Sequence, residues 1–112
     1  MSNEIEHDPE SAAVRNNTAE ERYELEIDGH LAVIEYEQGP ERILFLHTEV
    51  PKELEGHGVA GKLARFALED ARARHLSVVP LCPFVASYIR QHQEYADLVS
   101  PGHRVNMKPE SE

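Results

Sequence analysis

Glu55-Gly56-His57-Gly58-Val59-Ala60-Gly61 places three glycines within six positions, just ahead of residues whose apolar side chains recur at helical spacing. From Gly58 to about His75, a plot at 100° per residue gathers Lys62, Arg65, Glu69 and Arg72 into one polar stripe. Val59, Leu63, Phe66, Ala67 and Ala71 fall opposite, on the side predicted to face a core. Ala60, Ala64 and Leu68 widen that arc, and Asp70 interrupts it. Glycines in a loop that opens a helix let backbone amides approach an anion. The first-turn amides of the helix are unpaired and carry the positive end of its dipole. The loop therefore suits a phosphate or pyrophosphate. It lacks the Gly-Lys-Ser/Thr ending of a nucleoside-triphosphate loop and the spacing of a dinucleotide fingerprint. The structural alternative is a flexible turn whose glycines serve close helix–sheet packing.

Upstream, Tyr23-Glu24-Leu25-Glu26-Ile27 alternates apolar and acidic side chains, the period-2 pattern of a half-buried strand. Asp28-Gly29 signals a hairpin turn into a second strand, His30 to Glu37, and Gln38-Gly39-Pro40-Glu41 a further turn. A third strand is predicted from Arg42 to Val50. Its Ile43-Leu44-Phe45-Leu46 run is apolar on both faces, as in a central strand. Downstream of the long helix, Leu76 to Cys82 reads as a short buried strand, and Pro83 can open a helix running to about His92. The expected order is β-β-β-α-β-α. That order describes an α/β fold with a mixed sheet and helices packed on it.

The 112 residues carry 21 acids against 11 Lys and Arg, a net charge of −10 with His neutral. No basic cluster is present to neutralise successive phosphates, so neither nucleic acid nor an anionic membrane is an expected partner. No apolar run has the length of a membrane span, and Met1–Asp8 lacks a signal-peptide pattern, which points to a cytoplasmic protein. The single cysteine, Cys82, excludes an intrachain disulfide. The histidines show no metal-ligand spacing, so no metal is expected. Residues 1–22 are polar and acidic and read as a disordered arm, with residues 101–112 as a flexible tail. The folded domain then spans residues 23–100, small enough for ligand or subunit contacts to contribute to stability, as a monomer or weak homodimer.

Glu55-Gly56-His57-Gly58-Val59-Ala60 falls on the signature Gln/Arg-x-x-Gly-x-Gly/Ala of the GNAT superfamily of acetyl-CoA-dependent N-acetyltransferases. The resemblance extends through Thr48-Glu49-Val50-Pro51, Val79-Pro80-Leu81-Cys82-Pro83-Phe84 and Tyr88 to Tyr95, covering roughly residues 23–99. The chain resembles a small stand-alone branch of that superfamily. The resemblance implies that the amides of Gly56, Gly58, Val59, Ala60 and Gly61 hold the CoA pyrophosphate, with Lys62 and Arg65 near enough to help neutralise it. His57 in the loop is either a phosphate contact or a solvent-exposed side chain. It also implies a pantetheine arm lying between the third strand and the Leu76–Cys82 strand, with backbone near Val50 bonding the arm or polarising the acetyl carbonyl. Tyr88 stands where many members carry the tyrosine that protonates the leaving thiolate. Glu55 departs from the signature, setting a carboxylate beside the pyrophosphate unless it turns away or pairs with a base such as Lys52.

Acetyl transfer to an amine needs a neutral amine, a polarised carbonyl and a proton donor for the thiolate. His47 and Glu49 lie two apart on one strand and project from the same face, so either is a candidate base. Cys82, at a helix start, is a candidate nucleophile through an acetyl-cysteine intermediate, or a buried apolar filler. Two functions remain in view. One is an N-acetyltransferase acting on a primary amine, small molecule or protein. The other is an acetyl-CoA or CoA-binding module without efficient turnover, because the Asp28-Gly29 hairpin replaces the helices that build the acceptor site in larger members.

Overall fold

The computed structural model describes residues 13–107. Strands β1 (Val14–Asn17), β2 (Arg22–Ile27), β3 (His30–Gln38) and β4 (Arg42–Glu49) lead into helix α1 (Val59–Ala73), strand β5 (Ser77–Pro80) and helix α2 (Pro83–Gln91). Short 3-10 segments occupy Lys52–Leu54, Gln93–Leu98 and Pro101–Met107. The five strands lie in sequence order across one sheet, antiparallel from β1 to β4 and parallel between β4 and β5. Helix α1 makes the crossover that a parallel pair requires. The expected α/β mixed sheet is therefore present with one strand more than the sequence pattern indicated.

That extra strand corrects the reading of residues 14–22 as a disordered arm. Val14–Asn17 pairs with β2, and two of its residues converge with Arg22 on one carboxylate. Glu24, only 1% exposed, accepts hydrogen bonds from Arg15 Nε at 2.8 Å, Asn17 Nδ2 at 3.0 Å and Arg22 Nε at 2.6 Å. Burial opposes the charge on Glu24, but these bonds outweigh it and hold the carboxyl below the usual glutamate range. On the other side of the sheet the Tyr36 hydroxyl donates to Asn16 Oδ1 at 2.6 Å. The tail is likewise corrected in part, because residues 101–107 form a 3-10 segment, tied back by Arg104 Nε donating to the Val99 carbonyl at 2.7 Å. The remainder of the arm and tail, residues 1–12 and 108–112, lies outside the described residues.

Asp28 and Gly29 both take positive φ, 52° and 82°, as a two-residue hairpin turn demands. Tyr23, Leu25, Ile27, Ala32, Ile34, Tyr36, Ile43, Phe45 and Val78 join the apolar residues of α1 and α2 in one core. Strand alternation sends Glu26, Glu37, His47 and Glu49 to the opposite face, where they are exposed. The expectation that β4 is buried on both faces therefore fails at Leu46, which is 38% exposed. The register shifts between Glu35 and Tyr36, which pair with His47 and Phe45 and leave Leu46 as the extra residue of a bulge.

Helix α1 buries Val59, Leu63, Ala64, Ala67, Leu68 and Ala71. Phe66, predicted to face the core, is 39% exposed and meets the Tyr23 ring edge-on at 6.0 Å. Asp70, the interruption in the apolar arc, accepts the Tyr23 hydroxyl at 2.7 Å and Arg74 Nε at 3.1 Å. The polar stripe holds the segment after α2: Tyr95 donates to Glu69 at 2.8 Å, and Arg72 pairs with Asp97 at 3.1 Å and bonds the Glu94 carbonyl at 2.7 Å.

Candidate active site

Gly58 caps α1 with φ of 75°, and the preceding Gly56 also has positive φ, 84°. The Gly58 cap has no side chain to bond the helix amides, and the first turn contains no acid. Lys62 is the first residue to close a helical bond, donating to the Gly58 carbonyl at 3.1 Å. The amides of Val59, Ala60 and Gly61 thus lack intrahelical partners. A Cβ built at Gly56 or Gly58 would meet no heavy atom within 4 Å, so these glycines do not serve tight packing. They serve the left-handed backbone and leave space before the amides. Only Gly61 sits at a helix–helix contact, where a Cβ would lie an ordinary 3.7 Å from Tyr88 Cε2.

A cleft of about 460 Å³ opens beside this turn, lined by Val50, Leu54, the residues from Glu55 to Gly61 other than His57, and Phe84, Tyr88 and His92. A smaller one of about 220 Å³ shares Gly58, Gly61 and Tyr88 and adds Lys62 and Arg65. Val50, the glycine turn, Lys62 and Tyr88 therefore lie in one region. His57 stays exposed in the turn and lines neither cleft. Glu55 is exposed at the cleft, with no ion pair to Lys52 among the described residues. A roomier cleft, about 810 Å³, lies at the start of β4 among Glu21, Glu37, Glu41 and Arg42. Three carboxylates make it hostile to a polyphosphate, and it holds none of the groups considered above.

Pairing between β4 and β5 covers only Arg42–Phe45 and Ser77–Pro80. One more bond, Cys82 N–H to the Phe45 carbonyl at 2.8 Å, ends the contact. Beyond it β4 runs on to Glu49 while the chain turns into α2, so the two strands part. Thr48 Oγ1 and Cys82 Sγ lie 3.1 Å apart across the opening. Cys82 is 2% exposed and belongs to the core. His47 and Glu49 do form a pair, Nε2 to Oε2 at 3.6 Å, with both side chains mostly exposed. They project from the open face of the sheet, paired against Glu35 and Val33, and line neither cleft.

Tyr88 is half-buried, and its surroundings differ from those of the other tyrosines. The hydroxyls of Tyr23, Tyr36 and Tyr95 each donate to a carboxylate or amide oxygen. The Tyr88 hydroxyl has no partner among the described residues. Burial raises its pKa, against the lowering effect of the Arg65 charge, so the phenol holds its proton at neutral pH. His92, which sequence reasoning considered only as a metal ligand, stacks on the Tyr88 ring. The signal for it was its position four residues after Tyr88 at a helix end.

Among the described residues no group of three or more His, Cys, Asp or Glu comes together as a metal site, and no helix is long and apolar enough to cross a membrane. A family model described as GCN5-related N-acetyl-transferase matches residues 22–98, from the first residue of β2 to the last of the Gln93–Leu98 segment. No curated protein matches the chain.

Proposed function

The chain belongs to the GCN5-related N-acetyltransferases, and we propose that it transfers the acetyl group of acetyl-CoA to a primary amine by direct attack in a ternary complex. The observation that carries this reading is the convergence, on one cleft, of an uncapped helix N-terminus free of acids and a protonated phenol with no hydrogen-bond partner among the described residues. Acetyl-CoA supplies the activated thioester. The amides of Gly56, Gly58, Val59, Ala60 and Gly61 bind the pyrophosphate, aided by the charges of Lys62 and Arg65. The pantetheine arm runs along the cleft at Val50, beyond the point where β4 and β5 part, and backbone near Val50 holds it.

In the transfer an N–C bond forms as the C–S bond breaks. Tyr88 gives its phenolic proton to the departing sulfur and recovers one from solvent, and the amine proton leaves through water at the open cleft. The His47–Glu49 pair faces the other side of the sheet, so Glu49→Gln is expected to retain turnover within about threefold.

A second reading keeps Cys82 as a transient acyl carrier, favoured by its place at the strand opening and its bond to Thr48. In that path the Cys82 thiol gives up its proton and attacks the thioester, the C–S bond to CoA breaks and CoA leaves with that proton as its thiol. The amine then takes the acetyl as the bond to Sγ breaks and the thiol reforms. An acetyl adduct on the intact protein, absent in Cys82→Ala, would support this path. Full turnover in Cys82→Ala would remove it.

The test of the main reading is a backbone-amide NMR titration with acetyl-CoA, with CoA and ATP as controls, followed for hours on the acetyl signal. Specific shifts at Gly56–Gly61 and Val50, then loss of acetyl-CoA on adding amines, are the expected result. Shifts without any loss over a broad amine panel would leave a binding module. Amides that stay still at millimolar acetyl-CoA would overturn the assignment.

A further inference from the structure

Resting on the reading of Tyr88 as proton donor, we propose that His92 is a positioning residue that fixes the plane of the Tyr88 ring in the cleft. The two rings stack with centroids 3.9 Å apart and planes inclined by 14°. Every other described aromatic pair is tilted or edge-on at 5.2 Å or more. Phe84 and Tyr95, the other rings beside Tyr88, stand 6.3 and 6.2 Å away at 42° and 32°. Gly61 offers no side chain against the remaining edge. Among the described residues His92 is thus the one aromatic ring that lies parallel to the phenol.

The imidazole is itself anchored by backbone. In a continuing helix the Tyr88 carbonyl would accept the N–H of residue 92. Here that N–H donates instead to the Ile89 carbonyl at 3.1 Å, leaving the Tyr88 carbonyl without its helical donor. The His92 ring fills the place, with Nδ1 2.9 Å from that carbonyl oxygen. A carbonyl only accepts, so Nδ1 carries the hydrogen, and in the neutral ring Nε2 does not. The ring is held by the residue whose side chain it covers. Rotation of the phenol about its χ2 would separate the faces, so the stacked pair opposes it. The phenolic oxygen lies on the χ2 axis and stays in place under that rotation, but a phenol O–H prefers the plane of its ring, so fixing the plane fixes the direction in which the proton is offered to the sulfur.

The experiment uses the full chain with 13C-labelled tyrosine, titrated with CoA, with Tyr88 assigned from Tyr88→Phe. In the wild type the Tyr88 ring carbon bearing oxygen is expected to shift as CoA binds. In His92→Ala that shift should fall about threefold or more, with the CoA dissociation constant held within about twofold. His92→Phe, which keeps a flat ring but not the carbonyl bond, should recover most of it. A His92→Ala protein with dispersed amide signals and the wild-type Tyr88 shift would overturn the inference and leave the acetyl-CoA site intact. A wild-type Tyr88 signal that ignores CoA while the Gly56–Gly61 amides respond would overturn both the donor role of Tyr88 and the inference. Where turnover is measurable, a double-mutant cycle adds a check: His92→Ala should lower kcat in the wild type and have no further effect in Tyr88→Phe.

Discussion

Glu55 is the residue that sets this chain apart from the signature it otherwise fits. Its carboxylate stands exposed at the cleft rather than neutralised by Lys52, so on the proposed reading it would repel phosphates bound at the glycine turn. Glu55→Gln is expected to tighten acetyl-CoA binding about threefold, with the gain shrinking at high salt, as isothermal titration at two ionic strengths would measure. An unchanged affinity would mean that the side chain turns to solvent when ligand is bound. Two glycines beside it separate backbone need from space. Gly58→Ala forces a Cβ into a left-handed conformation and is expected to cost about 1–2 kcal/mol of stability. Gly61→Ala adds a methyl at an ordinary contact distance within the helix, so it should stabilise the fold by about 0.5 kcal/mol. Urea denaturation of the two variants distinguishes them by sign.

At the scale of elements, the stripe of α1 that reads as a solvated surface is a clamp on the chain after α2. Tyr95 is the clearest member: burial, then its bond to Glu69, push its phenol up to about 12 from 10.0. A phenol whose folded pKa is raised contributes stability that is complete below the unfolded value. That stability is lost as pH rises through the folded one. The wild type should therefore lose stability between about pH 10 and pH 12, beyond the general loss that Tyr95→Phe also suffers, as denaturation midpoints against pH would record. Equal slopes for both proteins would exclude Tyr95 as the source. Asp70 in the apolar arc has the same kind of explanation, since it receives the hydroxyl of a tyrosine 47 residues earlier. No helical plot can place a partner on a strand that distant in sequence.

For the whole molecule, helices and sheet share one core while Glu26, Glu37, His47 and Glu49 stand exposed on the other sheet face. The edge of that face is closed by β1, whose only apolar residue is Val14 and whose attachment relies on Glu24. Replacing Glu24 by Ala removes three hydrogen bonds and the ion pairs to Arg15 and Arg22. A loss of about 2 kcal/mol is expected, with faster amide exchange in Val14–Asn17 than in the rest of the sheet. Because the Glu24 pKa is lowered in the fold, its contribution is present above the ordinary glutamate pKa and disappears as pH falls through the depressed value. A Glu24→Gln protein should accordingly show a flatter acid limb than the wild type.

Period and turn chemistry made β2, β3, β4, β5 and both helices legible in the sequence, because each signal lies within a few neighbouring residues. The glycine turn was legible for the same reason, since positive φ and uncapped amides are local properties. What lay beyond local reading was everything that depends on a distant partner. Val14–Asn17 is a strand because Glu24 and Tyr36 supply what its own side chains lack. Leu46 is exposed because a bulge in pairing with β3 shifts its position, and His47 and Glu49 share a face that the cleft does not use. His92 matters because a helix ends there and frees a carbonyl. The sequence by itself determined β2 to β5, both helices and the anion-ready turn; only the tertiary structure decided that Val14–Asn17 is a strand and which side chains face one another, because hydrogen bonds, stacking and burial act between atoms that the chain brings together from far apart.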